Sequence, residues 1–213
     1  MPVPMTRLDK NDPKYKDHES KFYQSWRHPG KSAKIKSIFF VRNFDMGRSY
    51  RGKRFNTYLN GGSYRRMYHG TQRACRIGSK GNTLTLCDND SCFLCGVLRH
   101  SFKLNKAYNK GMFGAGIYST PTSSKADIYA KNHHLFSRTH AVLICHVVAK
   151  NPERRMAADN TITAPKPGYD CIEGVTQANG GGLLYPEFVV YREDAIIPVG
   201  LILYTRKGWT PLG

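Results

Sequence analysis

Apolar positions along the chain fall into separate runs whose spacing changes from one to the next, and those changes predict a mixture of helices and strands. Residues 21–28 (KFYQSWRH) place Phe22, Tyr23 and Trp26 at helical spacing ahead of the Pro29-Gly30 break, which predicts a short helix with one face turned inward. Residues 35–41 (IKSIFFV) are β-branched and aromatic and predict a strand, followed by a helix over 51–59. After Gly61-Gly62, residues 64–69 predict another strand that ends in His69-Gly70-Thr71. Residues 75–90 are rich in turn formers, 93–102 predict a helix, and glycines at 111, 114 and 116 prevent long regular structure there. A helix is expected over 123–132 with Ser123 or Ser124 at its cap. Three apolar runs follow, 141–149 (AVLICHVVA), 183–191 (LLYPEFVVY) and 195–204 (AIIPVGLILY), and they suit a mixed sheet. Between the first two, residues 151–182 are polar and rich in Pro and Gly, the pattern of a long loop.

Residues 1–20 are charged and carry prolines at 2, 4 and 13, so they read as a flexible basic and polar leader before one domain over 21–213. A chain of 213 residues with 40% hydrophobic content suffices for one substantial core and is short for two ordinary domains. Neither a signal-peptide pattern nor a bilayer-spanning apolar run is present, so an intracellular protein of cytoplasm or nucleus is expected, monomeric and without a membrane partner. Thirty-three Lys and Arg against fifteen Asp and Glu give a formal charge of +18, which attracts polyanions whatever the fold. No sequence-reading motif for DNA or RNA accompanies that charge.

Four of six cysteines, Cys75, Cys87, Cys92 and Cys95, cluster in the turn-rich segment, and the two residues between Cys92 and Cys95 let two sulfurs face one ion. A structural zinc insertion at about 75–100 is the favoured reading, with His100 a substitute ligand. Disulfides and free thiols are the alternatives, the former requiring an oxidising compartment. Cys145 in an apolar strand reads as core, and Cys171 has no histidine pattern to activate it.

Three separated segments carry the chemistry: Tyr68-His69-Gly70-Thr71, Phe113-Gly114-Ala115-Gly116-Ile117-Tyr118, and Leu184-Tyr185-Pro186-Glu187-Phe188. Together with Ser124-Lys125 and Tyr129 they resemble, in their order along the chain, the His-Tyr-Glu signature of the poly(ADP-ribose) polymerase family, over residues 26 to 204. The Cys cluster is similar to that of plant and fungal members with a zinc insertion. The resemblance implies an α+β ADP-ribosyltransferase fold, with split mixed and antiparallel sheets and flanking helices around an NAD cleft. It implies that His69 bonds a ribose hydroxyl of NAD, that the Gly70 backbone pairs with the nicotinamide carboxamide beside Thr71, and that Tyr118 and Tyr129 stack on the nicotinamide ring. Glu187 would bond the nicotinamide-ribose 2′-hydroxyl and stabilise the cationic sugar as the glycosidic bond breaks. Taken singly, each residue also fits a plainer role: a strand-end histidine, core tyrosines, a solvent-facing acid. Alternation along 184–191 groups Tyr185, Glu187, Val189 and Tyr191 on one face, where an acid among Tyr and Val needs a reason.

Where many members carry a serine after the lysine, this chain has Ala126, leaving that contact to nicotinamide missing or supplied by Ser124. The expected function is NAD cleavage with transfer of one ADP-ribose or a short chain to a macromolecular acceptor, namely DNA, RNA or an acidic protein. The rival is a zinc-stabilised nucleic-acid-binding module of the same fold without catalysis.

Overall fold

The structure is a computed structural model that describes residues 5–42, 49–79, 84–107 and 111–207. Its elements run β1 Met5–Arg7, α1 Pro13–Gln24, β2 Ser32–Val41, α2 Tyr50–Leu59, β3 Arg65–Gly70, α3 Phe93–His100, β4 Ile117–Ser119, α4 Ser123–Tyr129, β5 Thr139–Val147, β6 Pro152–Arg155, β7 Cys171–Gly174, β8 Glu187–Val190 and β9 Ile196–Lys207. One sheet has five strands in the order β1-β2-β9-β5-β3, all antiparallel, and a second has four in the order β4-β8-β7-β6, with β6 and β7 parallel. This is the expected α+β architecture, with two split sheets and flanking helices.

The central strands β5 and β9 are buried on both faces, which is why their sequences read as continuous apolar runs rather than alternating ones. Leu143, Cys145, Leu201 and Leu203 point into a core shared with α2, α3 and the second sheet. Val142, Ile144, Ile202 and Tyr204 point the other way, against Tyr15 and Phe22 of α1. A third, smaller cluster of Phe113, Ile162, Ile172, Leu183 and Val189 fills the second sheet.

The expected leader takes a different form. Residues 5–7 pair with β2, and α1 begins at Pro13, with the Asp12 carboxylate capping the Lys14 amide at 2.8 Å. Tyr15 and Phe22, seven apart and thus on one helical face, are buried, so the charges that dominate this composition are its outer face. The expected long loop over 151–182 contains β6 and β7, while the run at 183–191 forms a strand only from Glu187 onward, after Pro186. Among the described residues no helix is long and apolar enough to cross a membrane.

Candidate active site

The two sheets meet where β3 runs beside β4. Tyr68 and Thr120 exchange both main-chain hydrogen bonds, at 2.7 and 3.0 Å, on the side of β3 away from β5. Peptide groups alternate in direction along a strand, so those of Gly70, two residues on, also face away from β5. Beside them lies α4, packed so closely that a Cβ on Gly70 would stand 1.8 Å from the Ala126 carbonyl oxygen. The glycine expected to admit a ligand is therefore required first by a helix.

His69 alternates to the other face of β3. Its Nδ1 lies 2.7 Å from the Tyr118 carbonyl oxygen and its ring meets Phe102 edge-on at 4.9 Å. Burial pushes the imidazole pKa down, which favours the neutral ring, and a carbonyl only accepts. Nδ1 therefore carries the proton, leaving Nε2 an acceptor for a hydroxyl. Histidine and tyrosine, 49 residues apart in sequence, are thus joined by one hydrogen bond.

Tyr118 pairs with Val189 across the β4–β8 ladder. Its hydroxyl accepts from the Phe113 amide and donates to the Gly114 carbonyl, both at 2.9 Å, and burial raises its pKa to about 12. The loop carrying those groups is held from beyond. Gly114, at φ +73°, leaves no room for a Cβ against the Ile162 carbonyl at 1.9 Å, and Asp159 donates its amide to Met112. Tyr118 accordingly has a tethered hydroxyl and a ring for contact. Tyr129, last residue of α4, is half exposed, and the Lys125 ammonium lies 5.9 Å from its ring centre.

Glu187 opens β8 and is 5% exposed. Its carboxylate pairs with Lys125 at 3.1 Å, and the preceding Pro186 carbonyl accepts from the Thr120 hydroxyl at 2.7 Å. Phe188 and Val190 enter one core while Val189 and Tyr191 enter the other, as the alternation predicts. Sequence reading assigned Lys125 no role of its own, although its spacing four before Tyr129 puts both on one helical face.

Ser124 does not belong to this face. Fully buried, its hydroxyl accepts the Arg27 amide at 2.9 Å in the segment after α1. It cannot replace a hydroxyl at position 126, because residues two apart on a helix point nearly opposite ways. Ala126, 1% exposed, offers none. The back of α4 is fixed by Asp127, also fully buried, which accepts from the Tyr204 hydroxyl and from Arg206 at 2.5 Å. Thr71 is partly exposed at the strand end.

Cys75, Cys87, Cys92 and Cys95 come together with their sulfurs within 4.8 Å of one another, and none is in a disulfide. Cys75 Sγ lies 3.5 Å from Cys95 Sγ and 3.7 Å from Cys92 Sγ. Sulfurs about 2.3 Å from one tetrahedral ion are about 3.8 Å apart, so the cluster has the dimensions of a four-thiolate metal centre. Hydrogen bonds from Cys75 and Cys95 push the Cys92 thiol pKa down, and the Ala74 amide donates to its sulfur at 3.3 Å. His100 is not in the group. Cys145 and Cys171 are fully buried with thiol pKa values raised by burial, which disfavours nucleophilic thiolates.

On the α1 side of the Tyr68–Thr120 junction a cavity of about 450 Å³ is lined by Lys21, Arg27, Arg66, Tyr68, Pro121 and Thr122, among others. The Tyr185 hydroxyl donates to the Arg27 carbonyl at 3.3 Å, connecting its rim to the segment that leads into Glu187. Residues 14–206, which include every side chain of this site, match the family model for the poly(ADP-ribose) polymerase catalytic domain.

Proposed function

The chain belongs to the poly(ADP-ribose) polymerase catalytic-domain family, and from that premise we propose that it cleaves NAD, releases nicotinamide and transfers ADP-ribose, singly or as a short chain, to a macromolecular acceptor. The observation that carries this reading is the pairing of Glu187 with Lys125, a buried carboxylate whose charge is felt by Tyr118 and Tyr129, the former bonded in turn to His69. A buried ion pair is costly to maintain and is retained here where the family chemistry needs a negative group.

In this reading His69 Nε2 accepts from a ribose hydroxyl of NAD, the Gly70 peptide pairs with the carboxamide beside Thr71, and the Tyr118 and Tyr129 rings flank the nicotinamide. Glu187 accepts from the 2′-hydroxyl of the adjoining ribose and stabilises the positive charge that grows on C1′ as its bond to nitrogen breaks. The bonding electrons leave with nicotinamide, which becomes neutral, and a nucleophilic oxygen or nitrogen of the acceptor then bonds C1′ and gives up its proton. Lys125 orients the carboxylate throughout.

Zinc held by Cys75, Cys87, Cys92 and Cys95 is part of the proposal. With four protein ligands the centre is closed and structural, and it supplies cohesion to a segment of turns. The charge of +18 and the basic cavity beside Tyr185 favour a polyanionic acceptor, nucleic acid ahead of acidic protein.

Adenine-labelled NAD incubated separately with cell protein, duplex DNA, single-stranded DNA and RNA tests the reading, alongside Glu187→Gln and His69→Ala. Label on one acceptor that both variants lose is the expected result. No label and no released nicotinamide from the unaltered chain would instead favour a noncatalytic, zinc-stabilised nucleic-acid-binding module.

A further inference from the structure

Among the described residues Arg73 differs from the other cations. Its side chain heads the fully buried ones by size, at 1% exposure, yet the atoms it bonds are neutral. Nε donates to the Asn132 side-chain oxygen at 3.2 Å and Nη2 to the Thr139 carbonyl at 2.5 Å, while Nη1 has no hydrogen-bond partner among the described residues. A guanidinium does not shed its proton in proteins, so a charge so placed costs several kcal/mol unless an opposite charge lies near. Burial lowers the Arg73 pKa while Cys75, Cys92, Tyr204 and Cys95 act against it, and among the described residues the guanidinium forms no ion pair with a carboxylate. Three of those four belong to the sulfur cluster. Four thiolates around a divalent ion carry a net charge of about −2, the opposite charge that Arg73 otherwise lacks.

The same residue is stitched to the cleft. Its amide donates to the Lys131 carbonyl and its carbonyl accepts from the His133 amide, both at 2.8 Å, and it forms a parallel bridge with Asn132. Lys131 in turn donates to the Tyr129 carbonyl at 2.9 Å. An unbroken set of hydrogen bonds therefore runs from the residue next to Ala74, whose amide reaches Cys92, to the aromatic end of α4.

We propose that Arg73 is the counter-cation of the metal–tetrathiolate centre and the link through which metal loading fixes residues 131–139 and, with them, the Tyr129 wall of the cleft. The proposal rests on the zinc reading above, and it makes Arg73 a positioning residue, remote from the reacting atoms.

The test uses the full chain, metal-free and zinc-loaded. Zinc affinity is measured by competition with a chromophoric chelator for the unaltered chain, Arg73→Met, Arg73→Lys and the exposed neighbour Arg76→Met. Losing a group that supports metal ligands costs about 10–100-fold in affinity, so Arg73→Met should weaken binding by that factor, Arg73→Lys by less, and Arg76→Met little. In parallel, amide hydrogen exchange is followed in the unaltered chain with and without zinc. Residues 131–139 should lose protection when the metal is removed, whereas β1 and β2 should not. Equal affinity in Arg73→Met, or unchanged exchange at 131–139, would overturn the proposal while leaving the zinc site standing. No zinc uptake by the unaltered chain would overturn the zinc reading itself. If Arg73→Met does not fold, the exchange measurement on the unaltered chain decides.

Discussion

The Lys125 ammonium lies 3.1 Å from the Glu187 carboxylate, with the two side chains only 14% and 6% exposed, so that removing either has consequences for the other. Glu187→Gln keeps shape and polarity but removes the charge that would face the forming sugar cation. Turnover should fall by about 10²–10³, the range seen when one transition-state-stabilising group is lost. Glu187→Gln leaves the Lys125 ammonium without its partner and Lys125→Met leaves the Glu187 carboxylate without its own, a defect worth about 3–5 kcal/mol in either case, so each should lower the melting temperature. The Glu187→Gln/Lys125→Met double variant should lose less than the two single losses added. Calorimetry on the three variants beside a nicotinamide-release assay checks this; strictly additive stability losses would refute the pairing.

Ser124→Ala discriminates between the face of α4 that touches substrate and the face that touches the fold. The lost hydroxyl accepts the Arg27 amide in a part-buried hydrogen bond, so stability should drop by about 1 kcal/mol while KM for NAD stays as it was. A raised KM with unchanged melting would return Ser124 to the cleft.

Gly70→Ala places a methyl against a main-chain oxygen, which cannot rotate away as a side chain can. Overpacking of this kind costs about 1–3 kcal/mol or more, and α4 must shift to relieve it. NAD binding, read by titration calorimetry, should weaken together with stability; full affinity would mean that the cleft does not depend on this contact.

Acid should destabilise the protein well before its carboxylates titrate. Burial, the largest cause, lowers the His18 and His146 pKa values from 6.5 to about 4. Between pH 6.5 and about 4 the unfolded chain takes up protons that the fold refuses, so stability falls across that window and the loss levels off below it. Urea midpoints at pH 7.5, 5.5 and 4.5 should decline, and less so for the His18→Gln/His146→Gln double variant. Parallel curves for the two proteins would contradict the assignment.

Chelation gives the most direct view of the sulfur cluster. Protein purified without chelators should contain zinc in proportion to chain, lose it in Cys92→Ala, and melt at a lower temperature once stripped. Zinc-free native protein with unaltered melting would leave four free thiols.

Much of this architecture was legible because it depends on short-range pattern. The strand at 64–69, the helix at 51–59 and the two-faced strand through Glu187 follow from spacing alone. The N-terminal helix was obscured because Lys14, Lys16, Asp17 and Glu19 form an outer face that outweighs Tyr15 and Phe22 in any compositional average. Strands β6 and β7 were hidden for a related reason, since four-residue strands such as PERR become strands only through their partners. Ser124 was misplaced by one helical phase, a choice that depends on how α4 is rotated against β3. Arg73 stands in the His69-Gly70-Thr71-x-Arg73-x-Cys75 run that resembles plant and fungal members, but it received no role from sequence, because an arginine is most often a surface residue and only the packed fold surrounds it.

Tyr118 divides its labour between two parts of one side chain. The hydroxyl is occupied with the Phe113 and Gly114 peptides, so the ring alone is left to meet a partner. Natural variation to phenylalanine would therefore leave the contact surface chemically intact and loosen only the loop behind it. Drift at this position would be felt as a change in the cleft's rigidity and not in its vocabulary of contacts, a route by which relatives could alter how long a ligand stays without altering which ligand is chosen.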